Sequence, residues 1–506
     1  MPKAPRKPKT PAADAREIEL KLLLDPQARE SIKALPVVGP ALARARPAKL
    51  VSVYYDMPDR RLEKAGLTLR LRSDARQHLL TVKTLEARID RGEWERRIAK
   101  SKFTATDIAA SPAGAVLGSD TSRLRPIYTS RVTRTRALIA QGSSRIEASL
   151  DVGTIEAGTG KVPIAELELE LKEGKRSDLL VLARKLAASA PLRLSFIAKS
   201  ERGQHLLAGD WGKPKRASTP ALSAGMAGLD AFLAIARTCL HDFMLNEAAI
   251  GNSDDIEGVH QARIAIRRLR AAFSLFAPLI EHPRIEKLAA ELKWLSDLLG
   301  AARDCDVLMS EFSIDPKSQA GRAIAARRTE ARKALADGLA SSRMRLLLID
   351  LAGALDAASW SKARARPLSA PVRQAARKLL AQRFKRLLKR ARDLEALDAP
   401  ERHRVRIAAK KLRYMSEFFE TVLAGKEAKR RSDELIRQLE KVQKALGLLQ
   451  DEVTFSRFLI EIVGEAEAER LVAASPVDHK AELHKALKAM VKLAEIKPFW
   501  LEWRKG

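Results

Sequence analysis

Charged side chains alternate with apolar ones in several short segments of the first two hundred residues. Near the start of the chain, Glu17, Glu19 and Lys21 are separated by Ile18 and Leu20. Because successive side chains of a β-strand point to opposite faces, this spacing predicts a strand with one charged and one apolar face. Glutamates on one face repel one another unless a cation lies among them, and arginines on one face favour an anion. The chemistry indicated is joint binding of a metal ion and phosphate.

The same spacing recurs further along the chain. Residues predicted to share a strand face are Arg70 with Arg72, Thr81 with Lys83, Glu93 with Glu95, and Glu166 with Glu168 and Glu170. These faces could be the solvent sides of half-buried sheets. The recurrence of purely charged sets instead favours a closed antiparallel barrel of about eight strands, wide enough for a small ligand. Carboxylates without histidine or cysteine favour Mg²⁺ or Mn²⁺ over zinc.

The order of these segments resembles that of a known family. Besides the Glu17–Lys21 segment, the landmarks are Tyr55–Asp59, Leu67–Arg72, Thr81–Lys83, Arg91–Glu95, Arg134, Asp151–Gly153, Glu166–Glu170 and Lys199–Gly203. Together they resemble the CYTH family of triphosphate tunnel metalloenzymes over roughly residues 14–208. Met57 and Ala198 depart from the family pattern, in which Thr and Ser are usual, but neither change removes a charged residue.

The resemblance implies a β-barrel tunnel that holds a linear triphosphate. The residues that it assigns to phosphate binding are Lys21, Arg70, Arg72, Lys83, Arg134 and Lys199. Those that it assigns to one or two divalent cations are Glu17, Glu19, Glu93, Asp151, Glu166 and Glu168. Glu17, Glu19 and Lys21 are the expected catalytic residues. Arg131, Arg136, Glu95 and Glu170 remain open, because the strand register there is ambiguous.

The second half of the chain is rich in Ala, Leu, Arg, Lys and Glu at helical spacing, and it contains a duplication. A segment beginning at His260 aligns without gaps on one beginning at His403, 143 residues later, and Leu299–Asp304 aligns on Leu446–Asp451. At about 100° per residue, each copy presents a cationic stripe without any acid. We define the first stripe as His260, Arg263, Arg267 and Arg270, and the second as His403, Arg406, Lys410 and Arg413.

The stripes could be basic solvent faces of ordinary helices, or they could line one groove for a polyphosphate backbone. Over roughly residues 222–500 this half resembles the CHAD domain, a helical domain with conserved histidines, and the resemblance implies polyphosphate binding by the eight stripe residues. Aromatic residues make up only 5% of the chain, so no stacking platform for bases is evident and no specific nucleic-acid partner is expected.

Composition agrees with a polyanionic partner and limits the class of protein. The formal net charge is +30, and 46% hydrophobic residues excludes a wholly disordered chain. Two cysteines exclude a disulfide framework and are typical of a reducing compartment. No apolar run approaches the roughly 20 residues needed to span a bilayer. We therefore expect a cytoplasmic protein; its oligomeric state is open.

The expected architecture is an α+β multidomain chain. We predict a basic, proline-rich tail over 1–13, a barrel tunnel domain with flanking helices over 14–208, a linker over 209–221 and an all-α domain over 222–506. We expect the all-α domain to consist of two duplicated helical bundles, about 222–361 and 372–506.

The expected function is metal-dependent hydrolysis of inorganic triphosphate to pyrophosphate and phosphate, joined to polyphosphate binding. Two other enzyme activities, adenylate cyclase and thiamine triphosphatase, use the same triphosphate-binding charges. A rival outside catalysis is a polyphosphate-binding protein with a vestigial tunnel.

Overall fold

The computed structural model describes residues 16–25, 30–73, 77–85, 89–99, 101–118, 120–252, 256–280, 284–311, 314–360, 368–423, 425–474 and 477–503. The predicted basic tail lies outside these residues. The chain divides into two compact units. The barrel unit comprises Met1–Lys213 and Ala340–Asp356, and the helical unit comprises Pro214–Leu339 and Ala357–Gly506.

Eight antiparallel strands form a closed barrel, as predicted. They are β1 (Arg16–Leu23), β2 (Ala48–Asp56), β3 (Leu67–Ser73), β4 (His78–Thr84), β5 (Asp90–Ile98), β6 (Arg125–Gln141), β7 (Ser144–Ala157) and β8 (Gly160–Glu173). The strand order is β5-β4-β3-β2-β6-β7-β8-β1, and β1 also pairs with β5. Pairing of β1 with both β8 and β5 therefore closes the barrel. A two-residue strand, β9 (Arg193–Leu194), pairs with the end of β1.

Strand register places opposite charges side by side on the inner face of the barrel. Lys21 of β1 lies opposite Glu168 of β8, and Lys83 of β4 lies opposite Glu93 of β5. Arg134 of β6 lies opposite Asp151 of β7. Directly opposed pairs of this kind stabilise a sheet, whereas like charges in the same places would destabilise it.

The alternate apolar residues face outward and are covered by helices. Leu20 and Leu22 of β1 and Leu167 and Leu169 of β8 are at most 1% exposed. The helices of this unit that precede β9 are α1 (Glu30–Lys33), α2 (Val38–Ala43), α3 (Arg61–Lys64), α4 (Ala105–Ile108), α5 (Pro112–Leu117) and α6 (Arg176–Ser189). Of these, α6 packs on β1 and β8. The apolar side chains of the strands therefore form a core between the barrel and its helices, and the charged side chains occupy the interior of the barrel.

The helices that follow in the chain are α7 (Lys199–Leu207), α8 (Gly228–Asn252), α9 (Ile256–Phe276), α10 (Ile285–Glu311), α11 (Gln319–Ala340), α12 (Ser342–Ala354), α13 (Val372–Arg390), α14 (Ala399–Phe418), α15 (Gly425–Val463), α16 (Glu465–Ala473) and α17 (His479–Glu495). Short 3₁₀ turns cover Ala277–Leu279, Ala357–Ser359, Glu420–Val422 and Phe499–Glu502. Helical pairs α8–α9 and α13–α14 each present a stripe on their second helix, as the duplication predicts. Within the described residues, no helix combines the length and apolarity that crossing a membrane requires.

One helix from the second half of the sequence, α12, belongs to the barrel unit. It packs against α6 and β9. Arg345 donates a hydrogen bond to the Ala187 carbonyl oxygen over 2.8 Å, and Arg184 forms an ion pair with Asp350. Arg176 of α6 pairs with Asp356, just after α12, at 2.8 Å. The fold of the barrel unit therefore includes a segment that follows the first stripe in sequence.

Removing α12 is expected to destabilise the barrel unit. A chain ending at Lys213 loses the apolar cover that α12 gives to α6, at a cost of ~2–5 kcal/mol. We expect its thermal midpoint to lie roughly 10 °C below that of a chain in which residues 340–356 are joined to residue 213 through a flexible linker. Circular dichroism melts of the two chains provide the measurement. Equal midpoints would contradict this role for α12.

Candidate active site

The barrel encloses a cavity of about 200 Å³ whose lining is almost wholly polar. Its carboxylates are Glu17, Glu19, Glu93, Glu95, Glu147, Glu168 and Glu170, and its basic residues are Arg70, Arg72, Lys83, Arg134, Arg136, Lys172 and Lys199. Seven acids thus oppose seven bases among the described lining residues. The charged faces predicted from sequence converge inward. The lining residues therefore include no excess of bases over acids.

Lys83 lies between two of the carboxylates. Its Nζ is 2.5 Å from Glu17 Oε2 and 2.9 Å from Glu93 Oε1. Burial and the neighbouring charge of Glu19 raise the pKa of Glu17 to about 8, although Lys83 acts against them. Burial lowers the pKa of Lys83, but the attraction of Glu17 and Glu93 outweighs it and raises that pKa above its ordinary value. One ammonium group therefore bridges two acids on adjacent strands.

Glu19 lies beside two buried basic groups. Arg91 approaches Glu19 Oε1 to 3.4 Å and Lys21 to 3.8 Å. Burial and Glu168 act to raise the pKa of Glu19, but Lys21, Lys83 and Arg91 outweigh them and lower it to about 2. Glu19 is thus ionised at neutral pH, and it lines the cavity.

A second acidic cluster surrounds Lys199. Oxygens of Asp151, Glu166 and Glu168 lie within 4.8 Å of one another. Lys199 Nζ contacts all three carboxylates, at 2.6 Å from Asp151 and 2.8 Å from Glu168. The three acids raise the pKa of Lys199 against the opposing effect of its burial. The ammonium group thus holds together carboxylates that would otherwise repel one another.

Helix α7 brings Lys199 to the barrel. The helix packs on β6, β7 and β8, and its Arg202 forms an ion pair with Glu166. Gly203 makes this approach possible, because a Cβ there would lie 2.4 Å from Cδ2 of the Tyr128 ring. The Tyr128 ring in turn stacks on Tyr54, with ring centroids 4.6 Å apart. The Lys199–Gly203 landmark therefore combines a charged group with the small residue that lets it reach the cavity.

The arginines of the cavity also pair with carboxylates of the lining and of the second cluster. Arg134 donates to Asp151 over 2.6 Å and to Glu168 over 2.5 Å. Arg70 and Arg72 approach Glu95 to 3.9 and 3.5 Å. Repulsion by Arg70, together with burial, lowers the pKa of Arg72 to about 10. Closely placed cations of this kind favour the binding of an anion between them.

Most of the predicted site residues line the cavity, but three lie beneath its surface. Lys21 is 3% exposed, and Asp151 and Glu166 are fully buried; none of them contributes to the lining. Of the four residues that the sequence left unassigned, Arg136, Glu95 and Glu170 line the cavity. Arg131 instead pairs with Glu156 on the outer surface.

Sequence reasoning missed several lining residues, among them Glu147, Ser149 and Lys172. Glu147 and Ser149 precede Asp151 at a spacing of two, so the alternation already used elsewhere could have found them. Lys172 continues the spacing of Glu166, Glu168 and Glu170 by one further step.

The Tyr55–Asp59 landmark is structural. The buried Asp56 carboxylate accepts hydrogen bonds from the backbone N–H groups of Met57, Leu62 and Glu63, at 2.7, 2.9 and 3.0 Å. These bonds fix the turn after β2 and the start of α3. None of these residues lines the cavity.

In the helical unit the two cationic stripes lie close together. The helices that carry them, α9 and α14, pack against each other. Burial, followed by Arg267, Arg406 and Arg263, lowers the pKa of Lys410 to about 7. Since Arg263 and Arg267 belong to the first stripe and Lys410 to the second, both stripes contribute to one electrostatic environment. Burial also lowers the pKa of His260 and of His403.

The duplicated contacts around the stripes are matched. Arg263 pairs with Asp304 at 3.5 Å, and Arg406 pairs with Asp451 at 3.4 Å. Each guanidinium lies over a glycine: a Cβ would be 3.7 Å from Arg263 Nη2 at Gly300 and 3.3 Å from Arg406 Nε at Gly447. The duplicated segments Leu299–Asp304 and Leu446–Asp451 therefore each supply an aspartate partner and a glycine surface to one arginine of the stripes.

Comparison with known proteins agrees with both parts of this description. Residues 15–203 match the family model of the CYTH domain, and residues 234–460 match that of the CHAD domain. Over 191 residues the chain is 31% identical to an inorganic triphosphatase of Haemophilus influenzae, in an alignment covering 37% of this chain and 54% of that protein. The chain thus spans about half the length of this curated relative.

Two solved structures are also similar. The CHAD domain from the plant Ricinus communis is 31% identical, with a TM-score of 0.46, and the match covers 54% of this chain and 96% of that one. A candidate adenylyl cyclase from Hippeastrum, described as revealing a dominant triphosphatase activity, is 18% identical with a TM-score of 0.26, over 38% and 96% of the two chains. From its family matches, the chain belongs to the proteins that join a CYTH domain to a CHAD domain.

Proposed function

We propose that the barrel hydrolyses inorganic triphosphate to pyrophosphate and phosphate with the help of a divalent cation. The observation that carries this proposal is the balance of seven acids and seven bases around one cavity. A cavity built only to bind an anion would need the bases alone. A balanced lining accommodates a polyanion when further cations accompany it, because an uncompensated charge in a low-dielectric site is costly.

The residues of the cavity fit a hard cation. Glu17, Glu19, Glu93 and Glu168 all line the cavity, and oxygen is the donor that Mg²⁺ and Mn²⁺ prefer. We therefore assign one or two divalent cations to carboxylates of this set. The deeply buried Asp151 and Glu166, which the family resemblance also assigns to metal, fit better as residues that position Lys199 and Arg202.

When bound, such a cation neutralises charge that develops on the phosphate oxygens and favours a water nucleophile. The chain itself supplies positioning. Arg70, Arg72, Arg134 and Lys199 would bind the phosphate oxygens along the cavity, since guanidinium groups match phosphate geometry and ammonium groups act as point charges. Phosphoryl transfer needs little covalent assistance beyond such positioning and charge stabilisation.

The lining favours inorganic triphosphate over nucleoside or thiamine triphosphates. Tyr54 is the one aromatic residue among the described lining residues, and its ring is already stacked on Tyr128. No apolar surface in this lining offers a place for a base or a thiazole ring. We expect phosphate release from tripolyphosphate with Mg²⁺ or Mn²⁺, much weaker release from ATP and thiamine triphosphate, and none with EDTA. Equal rates for all three substrates would contradict this specificity, and metal-independent release would contradict the role of the carboxylates.

We also propose that the two stripes of the helical unit bind inorganic polyphosphate. Arg263, Arg267, Arg406 and Lys410 lie in one electrostatic environment that depresses the pKa of Lys410. Cations held this close raise the free energy of the unbound protein, and a chain of phosphates relieves their repulsion. The mixture of guanidinium and ammonium groups suits repeating phosphate oxygens without any base recognition.

Binding to the stripes is expected to take up protons. The groups around the Lys410 amine are Arg263 and Arg267 on α9, Arg406 on its own helix and Asp451 on α15. Free Lys410 loses its proton as the pH rises through about 7, whereas a bound polyanion favours the ammonium form. Affinity should therefore fall above pH 7, by up to about tenfold per pH unit. Calorimetry in buffers of different ionisation enthalpy measures the proton uptake.

The matched control for this pH dependence is Lys410→Arg, which stays charged throughout the range. We expect this variant to bind polyphosphate with little pH dependence and with less proton uptake. If the variant and the wild type show the same pH dependence, Lys410 is not the titrating group.

A further inference from the structure

The two repeats of the helical unit differ in the charge of the helix that precedes each stripe. In the first repeat this helix, α8, carries one arginine against three acids. In the second repeat it is α13, which carries eight Lys and Arg residues within 19 positions and no acid. Because the stripes themselves are duplicated, the charge of α13 is a property of the second repeat alone. Solvent-exposed helices normally combine acidic and basic residues at i,i+4 spacing.

Part of this charge gathers with cations from two neighbouring helices. We define the α13 patch as Arg383, Arg386 and Arg390 of α13, Lys411 of α14 and Arg270 of α9. Burial, followed by Arg383, Arg270 and Arg390, lowers the pKa of Lys411. Burial, Arg386 and Arg390 likewise lower the pKa of Arg383. Three helices thus bring their basic side chains together without an acid among the groups that affect them.

The residues of the patch have few partners inside the protein. Arg383 donates to the Ser274 carbonyl oxygen over 2.6 Å, and Arg270 donates to Ser296 Oγ over 3.1 Å. Among the described residues, no carboxylate forms an ion pair with any member of the patch, and Arg386 and Arg390 are exposed. By contrast, Arg263 and Arg406 in the stripes each have an aspartate partner. The patch is therefore a surface whose positive charge remains available to an external anion.

The chemistry of the patch favours a phosphate chain over a nucleic acid. Phe384 is the only aromatic residue of α13, and its ring packs edge-on against Trp500, with centroids 5.7 Å apart. No aromatic face of this helix is thus left for base stacking, which supplies much of the affinity for single strands. Arg270 also belongs to the first stripe, so the patch continues directly from the proposed polyphosphate groove.

We propose that the α13 patch is an additional binding surface for inorganic polyphosphate that engages only chains long enough to extend beyond the two stripes. This inference rests on the proposed polyphosphate binding by the stripes and adds a basis for discrimination by chain length. A short oligophosphate fills the groove between the stripes and leaves the patch empty. A long chain occupies both and displaces more counterions from its own surface.

The test compares long-chain polyphosphate with tetraphosphate on the full chain carrying Arg386→Gln, Arg390→Gln and Lys411→Gln. Arg383 and Arg270 stay intact because they bond to the protein. We expect the triple variant to bind the long chain roughly 10-fold more weakly, with the salt dependence of log K reduced by about 2–3. Its affinity for tetraphosphate should equal that of the wild type.

The matched control replaces three exposed lysines of α17, Lys480, Lys488 and Lys492, by glutamine and so removes the same charge from the same unit. It should bind both anions as the wild type does. Unchanged long-chain affinity in the patch variant, an equal loss in the control, or an equal loss for tetraphosphate would each overturn the proposal. A larger loss for single-stranded RNA than for polyphosphate would overturn the choice of ligand.

Different experimental results would contradict the proposed polyphosphate binding by the stripes and the proposed role of the α13 patch. If substitution of the stripe arginines leaves tetraphosphate binding unchanged, the stripes are not the polyphosphate site. If stripe substitutions abolish binding but the patch variant behaves as the wild type with both anions, the stripes bind polyphosphate and the patch does not contribute to binding.

Discussion

Replacement of Glu19 by glutamine is expected to lower the turnover of tripolyphosphate by roughly 10³-fold, or about 4 kcal/mol of barrier. Glu19 lines the cavity, and its pKa of about 2 keeps it ionised. Glutamine keeps the shape of the side chain but removes the charge that a divalent cation needs. Phosphate release at saturating tripolyphosphate and metal measures the effect.

Binding and stability measurements separate this effect from misfolding, because Glu19→Gln also leaves Lys21 and Arg91 without their carboxylate. Loss of a negative charge from the cavity should not weaken tripolyphosphate binding measured in EDTA. Glu156→Gln is the matched control, since Glu156 lies on the outer surface of the same barrel and pairs with Arg131. Wild-type turnover in Glu19→Gln, or equal losses in both variants, would reject the assignment of Glu19.

The second large effect is expected in the helical unit. Replacing Arg263 and Arg406 together by alanine should weaken polyphosphate binding by roughly 100-fold and reduce the salt dependence of log K by about 2. Both guanidiniums are only partly buried and lie over glycines, so the substitution leaves little unsatisfied inside the protein. Tripolyphosphate turnover in the barrel should remain unchanged.

Arg430→Ala with Arg470→Ala is the matched control for the stripe variant. Both arginines belong to the helical unit, and both form exposed pairs with glutamates on their own helices, at 2.8 and 2.7 Å. Such pairs contribute little to stability. An equal loss of affinity in this control would mean that net charge alone governs binding and that the stripes have no special role.

Because α12 is part of the barrel unit, experiments on the two proposed functions should use the full chain. Deleting residues 222–506 removes α12 together with the stripes. A loss of turnover in such a chain would then reflect the lost packing on α6 as well as any effect of the helical unit. Point substitutions on the stripes avoid this ambiguity.

Alternation along the strands predicts which charged residues share a face, and most of the residues predicted in this way line the cavity. The period of two in Glu17–Lys21 and Glu166–Glu170 carries the information, because a strand has only two faces. The ambiguity at Arg131 and Arg136 shows the limit of this reasoning. These two residues differ by an odd number of positions, so they lie on opposite faces, but only the structure shows that Arg136 lines the cavity and that Arg131 pairs with Glu156 on the outer surface.

The sequence by itself determined the barrel, the inward charges and the duplicated stripes, because periodicity and repetition are visible in the order of residues along the chain. Only the tertiary structure decided which charges meet. Lys83 pairs with Glu17 and Glu93, and Lys199 pairs with Asp151, Glu166 and Glu168. The assignment of α12 to the barrel unit and the low pKa of Lys410 also arise from contacts between segments distant in sequence. Ion pairing and desolvation depend on distances in space, which spacing along the chain does not specify.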